Sequence, residues 1–399
     1  MRNKKVNKSL ISTEWKQFLK DVFTCSLGAF GGPEAHFGIF SNQLVNKKRY
    51  LSDRELSELI ALTTILPGPS STQAIIAIGY KKGGPLLAFL TMLVWVLPAI
   101  VLMTVLSLFT YYFVAPTGDK SMLTYIGTMA VAFIIVAAYR ISTKVATDKL
   151  TLGLLVFGAI TTYAIKSMWI FPIILIIGGI VAILTSEEKN IWNRVRINPP
   201  WKYLISFILI TAGTIFLSSK FDNLLIDLFE SFYRYGYLVI GGGQVVVSMM
   251  HSELVVGHNY ISNQDFLTGF GLVQGIPGPM FSFASYVGGL AASSQGIGLH
   301  ILTAVLSGVA IFLPGVLLIY FVYPIWEDLK KIKAIRIALN GVTAVAGGMI
   351  VATALLFFNK LTMDLSNSFI LFATIAAVFS KKIPAPLIVI VVLVLGYII

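Results

Sequence analysis

The fold the sequence predicts is an all-α polytopic membrane protein, two inverted-topology repeats with broken or re-entrant helices joined by one extra transmembrane helix. Three observations predict it. Of 399 residues, 56% are hydrophobic and only 12% charged, about half the charged share of a soluble domain, and the mean hydropathy is +0.84. An unusual helix-breaking element occurs twice, Leu66-Pro67-Gly68-Pro69-Ser70-Ser71-Thr72-Gln73 and Ile276-Pro277-Gly278-Pro279-Met280-Phe281-Ser282-Phe283, each between long apolar runs. The loops that follow the first broken segment of each half differ in charge: one carries Lys47, Lys48, Arg49 and Arg54, and its counterpart, residues 256–263, carries no Lys or Arg. Because basic loops stay in the cytoplasm, matching loops of opposite character predict halves that face opposite sides of the membrane.

In chain order, residues 1–11 form a basic tail without the short apolar core and small-residue cleavage site of a signal peptide. The tail is expected to be cytoplasmic and the C-terminus extracytoplasmic. Residues 12–186 make the first repeat, 187–229 a linker with one transmembrane helix, and 230–399 the second repeat. Uninterrupted spans are predicted at 84–114, 121–139, 150–165, 168–185, 203–219, 296–323, 337–358, 366–380 and 384–399, with Pro98 and Pro314 kinking the two longest. Four apolar segments, 16–46, 54–82, 230–257 and 264–291, are broken near their middles by Gly-rich or Pro-Gly-Pro sequence. Each is read either as a re-entrant pair of half-helices or as a span with an unwound centre; the loop charges favour re-entry. The basic loops 81–82, 140–149, 189–202, 330–336 and 381–382 then all fall inside.

The repeat is an ordered series at an offset of 210 residues: Gly31-Gly32-Pro33 with Gly241-Gly242-Gly243, Tyr50-Leu51-Ser52 with Tyr260-Ile261-Ser262, and the two Pro-Gly-Pro elements. A further six-residue shift aligns Leu97-Pro98 with Leu313-Pro314. Repeats of this kind place a substrate site at their interface, near the bilayer midplane.

A broken helix in hydrocarbon exposes backbone groups that lipid cannot satisfy, so it persists where it faces a cavity or a ligand. The candidate substrate-binding residues are therefore Gly31, Gly32, Pro33, Pro67, Gly68, Pro69, Ser70, Ser71, Thr72 and Gln73 in the first half. In the second they are Gly242, Gly243, Gln244, Pro277, Gly278, Pro279 and Ser282. Inward helix N-termini, each with free N–H groups and about half a positive charge, suit a doubly charged anion. The serines and threonine after the first Pro-Gly-Pro add hydroxyl donors, so the first copy is expected to make more polar contacts. Gly79, Gly288 and Gly289 read better as helix-packing residues. Lys81 and Lys82 read better as interfacial anchors, and Tyr50 and Tyr260 as interfacial aromatics.

Glu34, His36, His251 and Glu253 are candidate proton carriers; capping or interhelical hydrogen bonding is the competing reading. Their spacing shows no metal-ligand pattern, and no cofactor is expected. One cysteine, Cys25, excludes an internal disulfide. No G-x-x-x-x-G-K-[ST] phosphate loop is present, and Gly241-Gly242-Gly243 lacks the strand–helix context of a dinucleotide fingerprint. The net charge of +12 lies in short loops, which argues against a nucleic-acid partner. Nothing in the residues suggests an enzyme.

Phe30-Gly31-Gly32-Pro33-Glu34-Ala35-His36, Tyr50-Leu51-Ser52 and the first Pro-Gly-Pro element closely resemble the chromate ion transporter family. Met249-Met250-His251-Ser252-Glu253-Leu254-Val255 and Gly275-Ile276-Pro277-Gly278-Pro279 resemble that family's repeated domain. The resemblance is to the long, two-domain form. It implies a multi-pass bacterial plasma-membrane carrier that exports chromate and confers chromate resistance, with sulfate as a related tetrahedral oxyanion. It brings protons in as candidate coupling ions and leaves a homodimer open. The chain departs from the family pattern in two places. Ser41-Asn42-Gln43 stands where an acidic residue is often found, and Glu34 where a small residue is common. Sulfate uptake or exchange on the same scaffold, and an anion channel, are the alternatives.

Overall fold

The computed structural model describes residues 8–114, 116, 121–165, 170–188, 191–192, 198–239 and 244–398, with the backbone alone at 8–12, 65 and 244. The described residues are helical and contain no strand, so the protein is an all-α polytopic membrane protein. Five helical runs, Ser70–Val114, Ser121–Val145, Trp201–Lys220, Ile297–Leu329 and Lys333–Phe358, are long and apolar enough to cross a bilayer. Four predicted spans, 150–165, 168–185, 366–380 and 384–399, appear as apolar helices of 16, 15, 16 and 14 residues. At 1.5 Å per residue these cover about 21–24 Å, less than the roughly 30 Å hydrocarbon core.

Three of the four predicted interruptions fall between helices, and the one at Gly241–Gly243 lies outside the described residues. α1 (Lys8–Gly28) and α2 (Pro33–Phe40) flank the first, with a π-helical turn, Ser41–Lys47, completing the return. α3 (Asp53–Ile65) and α4 (Ser70–Phe109) flank the first Pro-Gly-Pro. In the second half, α9 (Leu224–Leu238) is followed by α10 (Gln244–Met250) and a second π-helical turn, His251–Gly257. α11 (Asn263–Val273) precedes the second Pro-Gly-Pro and α12 (Phe283–Ala291) follows it. The first half continues with α5 (Ile126–Val145), α6 (Lys149–Ala164) and α7 (Ile170–Leu184), and the connector α8 (Trp201–Lys220) lies between the halves. The chain closes with α13 (Ile297–Ala310), α14 (Leu313–Val322), a short α15 (Trp326–Leu329), α16 (Lys333–Phe358), α17 (Leu365–Ser380) and α18 (Ala385–Ile398).

The duplication extends to fine detail. The two π-helical turns share the 210-residue offset, as do the left-handed residues after them, Arg49 (φ 52°) and Asn259 (φ 53°). The matching serines Ser52 and Ser262 both cap the next helix, accepting from Glu55 N and Asp265 N.

Contacts along each broken segment show where the chain reverses. Lys48 Nζ lies 3.0 Å from Asp21 Oδ1, and Tyr50 donates to Asp21 at 2.7 Å. The end of the first π-helical turn is thus back beside α1. Lys81 pairs with Glu55, and Lys82 Nζ sits 5.0 Å from the Tyr50 ring centroid, so α3 and the first part of α4 also start and finish at this end. In the second half, Asp222, Asp227, Asn259, Tyr260, Ala291 and Gln295 line one cleft. In each half the outer ends of the arms thus lie together, with the Pro-Gly-Pro turn at the other end of its hairpin.

The long helix α4 relates the two ends. Near its turn at Gly83–Gly84, the Pro85 carbonyl accepts from Tyr320 of α14. Toward its other end, Ser107 hydrogen-bonds His300 of α13 at 2.9 Å. α4 therefore runs antiparallel to α13–α14, and Pro85 to Ser107 spans roughly 33 Å.

One kink is misplaced by the sequence reading. α4 passes through Pro98 without leaving helical geometry; it turns instead at Gly83 and Gly84, the latter at φ +74°. Proline's missing N–H is tolerated where neighbouring helices support the freed carbonyl, whereas Gly84-Pro85 supplies a left-handed residue followed by a helix-starting proline. At Pro314 the expected break is real, since α14 starts there after a turn at Ile311–Phe312.

The core is built on α16, which packs against α5, α6 and α7. Glycines allow the close crossings: a Cβ at Gly178 would stand 2.9 Å from the Gly341 carbonyl oxygen, a typical small-residue contact between membrane helices. By contrast, α8 has no buried residue and lies at the periphery.

Candidate functional site

The first Pro-Gly-Pro turn is built by three local devices. Gly68 adopts φ +122°, a conformation only glycine reaches without strain. Pro69 caps α4, leaving the first-turn N–H groups of Ser70, Ser71 and Thr72 without an intrahelical acceptor. Gln73, fully buried, folds back so that its Nε2 donates to the Pro67 carbonyl at 2.7 Å. The second turn repeats the backbone: Gly278 is at φ +110° and Pro279 precedes a 3₁₀ turn, Met280–Ser282.

What lies against each turn comes from the other half. Gly68 N donates to the Val239 carbonyl at 2.7 Å, and Gly278 N donates to the Ala29 carbonyl, also at 2.7 Å. Val239 and Ala29 are themselves 210 residues apart and immediately precede the other two interruptions. The proline bends of the outer helices are exchanged too. Gln73 Cγ is 3.4 Å from where a Gly315 Cβ would be, and a Gly278 Cβ would stand 2.7 Å from that of Ala99. Each Pro-Gly-Pro turn is therefore seated on the opposite half's interrupted hairpin and on the residue after its Pro98 or Pro314.

The first turn is the more polar of the two. Ser71 Oγ hydrogen-bonds His36 Nδ1 at 2.9 Å, and Trp95 Nε1 donates to Thr72 Oγ1 at 3.1 Å. The His36 ring meets the Trp95 ring edge-on at 5.4 Å, and Ser26 Oγ donates to the Trp95 carbonyl at 2.7 Å. At the second turn, Gln274 reaches the Met280 sulfur at 3.6 Å. Three buried polar atoms at the turns, His36 Nε2, Gln73 Oε1 and Ser282 Oγ, have no hydrogen-bond partner among the described residues. Gly31, Gly32 and Glu34 are exposed beside them. A buried polar atom normally finds a partner, so these turns have unused capacity to bind a polar guest.

Of the remaining sequence-predicted residues, Gly242 and Gly243 lie outside the described residues, as does the side chain of Gln244, which opens α10. His251 and Glu253 stand apart from the turns. His251 Nε2 contacts Asn263 Oδ1 at 2.9 Å and its ring packs 4.7 Å from Phe357. Glu253 accepts from Ser231, Arg234 and Tyr235 in a buried cluster that also holds Glu230. Sequence reasoning missed Arg234, Glu230 and Trp95. The signal for the first two was present: Glu and Arg four residues apart in an otherwise apolar segment are a functional flag at membrane depth.

A polytopic helical membrane protein whose interrupted hairpins interlock pairwise has the architecture of a transporter. Comparison with known proteins gives the family: the sequence model of the chromate transporter family matches residues 16–184 and again 226–397, and the chain belongs to that family. It is 27% identical over 379 residues to a probable chromate transport protein of Synechococcus elongatus, covering 93% of each chain. It is 26% identical over 365 residues to the chromate transport protein of Cupriavidus metallidurans, covering 90% of this chain and 87% of that one. The chromate transport protein of Pseudomonas aeruginosa is 25% identical over 334 residues, 82% of this chain and 77% of that one. No solved structure matches.

Proposed function

We propose that this protein is a secondary carrier that moves chromate, or a related tetrahedral oxyanion such as sulfate, outward across a bacterial plasma membrane. Residues 12–186 and 230–399 are its two repeats, of inverted topology, joined through 187–229. The observation that carries this reading is the reciprocal pair of backbone hydrogen bonds, Gly68 to Val239 and Gly278 to Ala29. That exchange seats each Pro-Gly-Pro turn on a carbonyl of the other half, which supports a site between the repeats, where repeat-built transporters bind substrate. The antiparallel run of α4 against α13–α14 supports the inversion, and the names of the relatives support the substrate class.

In this reading the anion is held by neutral donors: the first-turn N–H groups of α4, the hydroxyls of Ser70 to Thr72, and Ser282. A dianion held by dipoles, not by a fixed cation, releases readily because no ion pair must be broken. The membrane potential assists export, since moving two negative charges out of a cell that is negative inside gains about 4.6 kcal/mol per 100 mV. Glu34, His36, His251 and Glu253 remain the candidate proton carriers, with His36 alone in direct contact with a Pro-Gly-Pro turn, through Ser71. The partners are the anion, the bilayer and protons; a homodimer stays an open alternative to a monomer.

The test is purified protein in liposomes, with chromate and sulfate flux followed with and without an imposed pH gradient. Saturable flux, and exchange of labelled for unlabelled anion, is the expected outcome. If neither anion moves nor competes, the substrate assignment is wrong.

A further inference from the structure

Five residues form a buried cluster between the two arms of the third interrupted hairpin. From α9, Arg234 Nε and Nη2 donate to Glu230 Oε1 and Oε2 at 2.7 and 3.0 Å. The same guanidinium reaches across to Glu253 on the π-helical turn, with Nη2 2.8 Å from Oε1 and Nη1 3.2 Å from Oε2. Ser231 Oγ and Tyr235 OH complete Glu253 at 2.9 and 2.6 Å. Glu230, Arg234 and Glu253 are only 8%, 7% and 3% exposed. Two carboxylates thus share one guanidinium, and neither has a second cation among the described residues. With all three ionised, the trio carries a net charge of −1 in a buried place, an expensive arrangement.

The two carboxylates are not equivalent. Glu253 accepts four hydrogen bonds, which suits an ionised group. Glu230 is held by Arg234 alone. Glu230 also lies one turn from Asp227, which with Asp222, Asn223, Asn259, Tyr260 and Gln295 lines a cleft of about 680 Å³. The cleft therefore comes within a helical turn of the less satisfied carboxylate.

We propose that Glu230, paired with Glu253 on the single guanidinium of Arg234, is the proton-binding site that couples a pH gradient to anion movement. The proposal rests on the carrier reading above and names a site for its proton. A proton arriving through the cleft converts the Glu230 carboxylate to the neutral acid and takes the trio from −1 to 0. Glu253 is then the one charged carboxylate left facing Arg234 in the trio, which tightens α9 against the π-helical turn. Val239, which holds Gly68, is five residues from Arg234. Loss of the proton to the other side restores the shared state. Other titratable groups nearby are engaged elsewhere. Tyr233 and Tyr237 of α9 pack on Phe207 of α8, whose Lys202 lies over Tyr203. The exposed Lys220 ends α8, and Asp227 accepts from Ser218. His300 of α13 bonds Ser107, and Tyr320 of α14 bonds the Pro85 carbonyl. His251 and Lys360 meet each other and Asn263, while His258 stacks on Tyr260. Asp265 lies at the start of α11, with Ser262. α10 carries no titratable side chain among the described residues.

The experiment compares wild type and Glu230→Gln in liposomes, measuring chromate and sulfate flux with and without a pH gradient, and labelled-anion exchange at equal pH. The expected result is a gradient-to-no-gradient ratio that falls from well above one in wild type to about one in the variant, with exchange still measurable. A variant that keeps the wild-type ratio overturns the proposal, as does a wild type that transports anion with no response to the gradient. If wild type moves no anion, the carrier reading fails instead. Infrared difference spectra on acidification then test the proton site alone. A protonated-carboxyl band present in wild type and absent in E230Q supports it; a band unchanged in E230Q overturns it.

Discussion

Gly68 and Gly278 concentrate the chemistry of the molecule into two backbone positions. Each uses a positive φ to turn the chain, and each spends its N–H on a carbonyl of the other half. A side chain there is strained by about 1–3 kcal/mol and meets Gln73 Nε2 in one case and Ala99 in the other. Gly68→Val and Gly278→Val are expected to reduce flux to background while leaving membrane insertion largely intact, measured by transport and by surface abundance in parallel. Normal flux in both would remove the turns from the site. Gln73 makes a second, milder case. Gln73→Ala leaves the Pro67 carbonyl without its donor, a loss of about 1–3 kcal/mol, and should lower both thermal stability and transport rate. At this scale the Pro-Gly-Pro turns were legible because proline and glycine act locally. Arg234 and Glu230 were passed over although their spacing was visible, since their meaning depends on Glu253 reaching them from another element.

At the scale of elements, the caps and breaks follow short-range rules. Ser52 begins α3 with a reciprocal capping box: its Oγ accepts from Glu55 N at 3.3 Å, and Glu55 Oε2 accepts from Ser52 N at 2.7 Å. Ser262 accepts from Asp265 N at 3.0 Å at the matched position. Ser52→Ala and Ser262→Ala should each cost about 0.5–2 kcal/mol of stability. Thermal unfolding in detergent checks this, and a null effect at both would argue that tertiary packing alone sets these helix starts. The bend of α4 taught the opposite lesson. Pro98 looks like the breaker, yet the helix continues through it and turns at Gly83–Gly84. Proline's effect in a membrane helix depends on what its neighbours supply, and a local reading does not see the neighbours.

Across the whole molecule, the two halves are not stacked domains; each completes the other's turns. The proposed inversion makes a sharp prediction. Lys48 and His258 are matched, exposed positions at the ends of the two π-helical turns, and the lone native cysteine, Cys25, is buried. In Lys48→Cys and His258→Cys, a membrane-impermeant maleimide should label the second in intact cells and the first after permeabilisation. Labelling of both from one side would rule out the inversion.

Membrane class and the two Pro-Gly-Pro breaks are properties of the sequence itself, because hydropathy, proline and glycine act over a few residues at a time. Their partners are not. Gly68 finds Val239, Gly278 finds Ala29, and Glu253 shares Arg234 with Glu230 only once distant segments are packed together. Backbone carbonyls carry no residue signature, and a buried ion cluster is defined by what surrounds it, so tertiary structure alone decided those pairings.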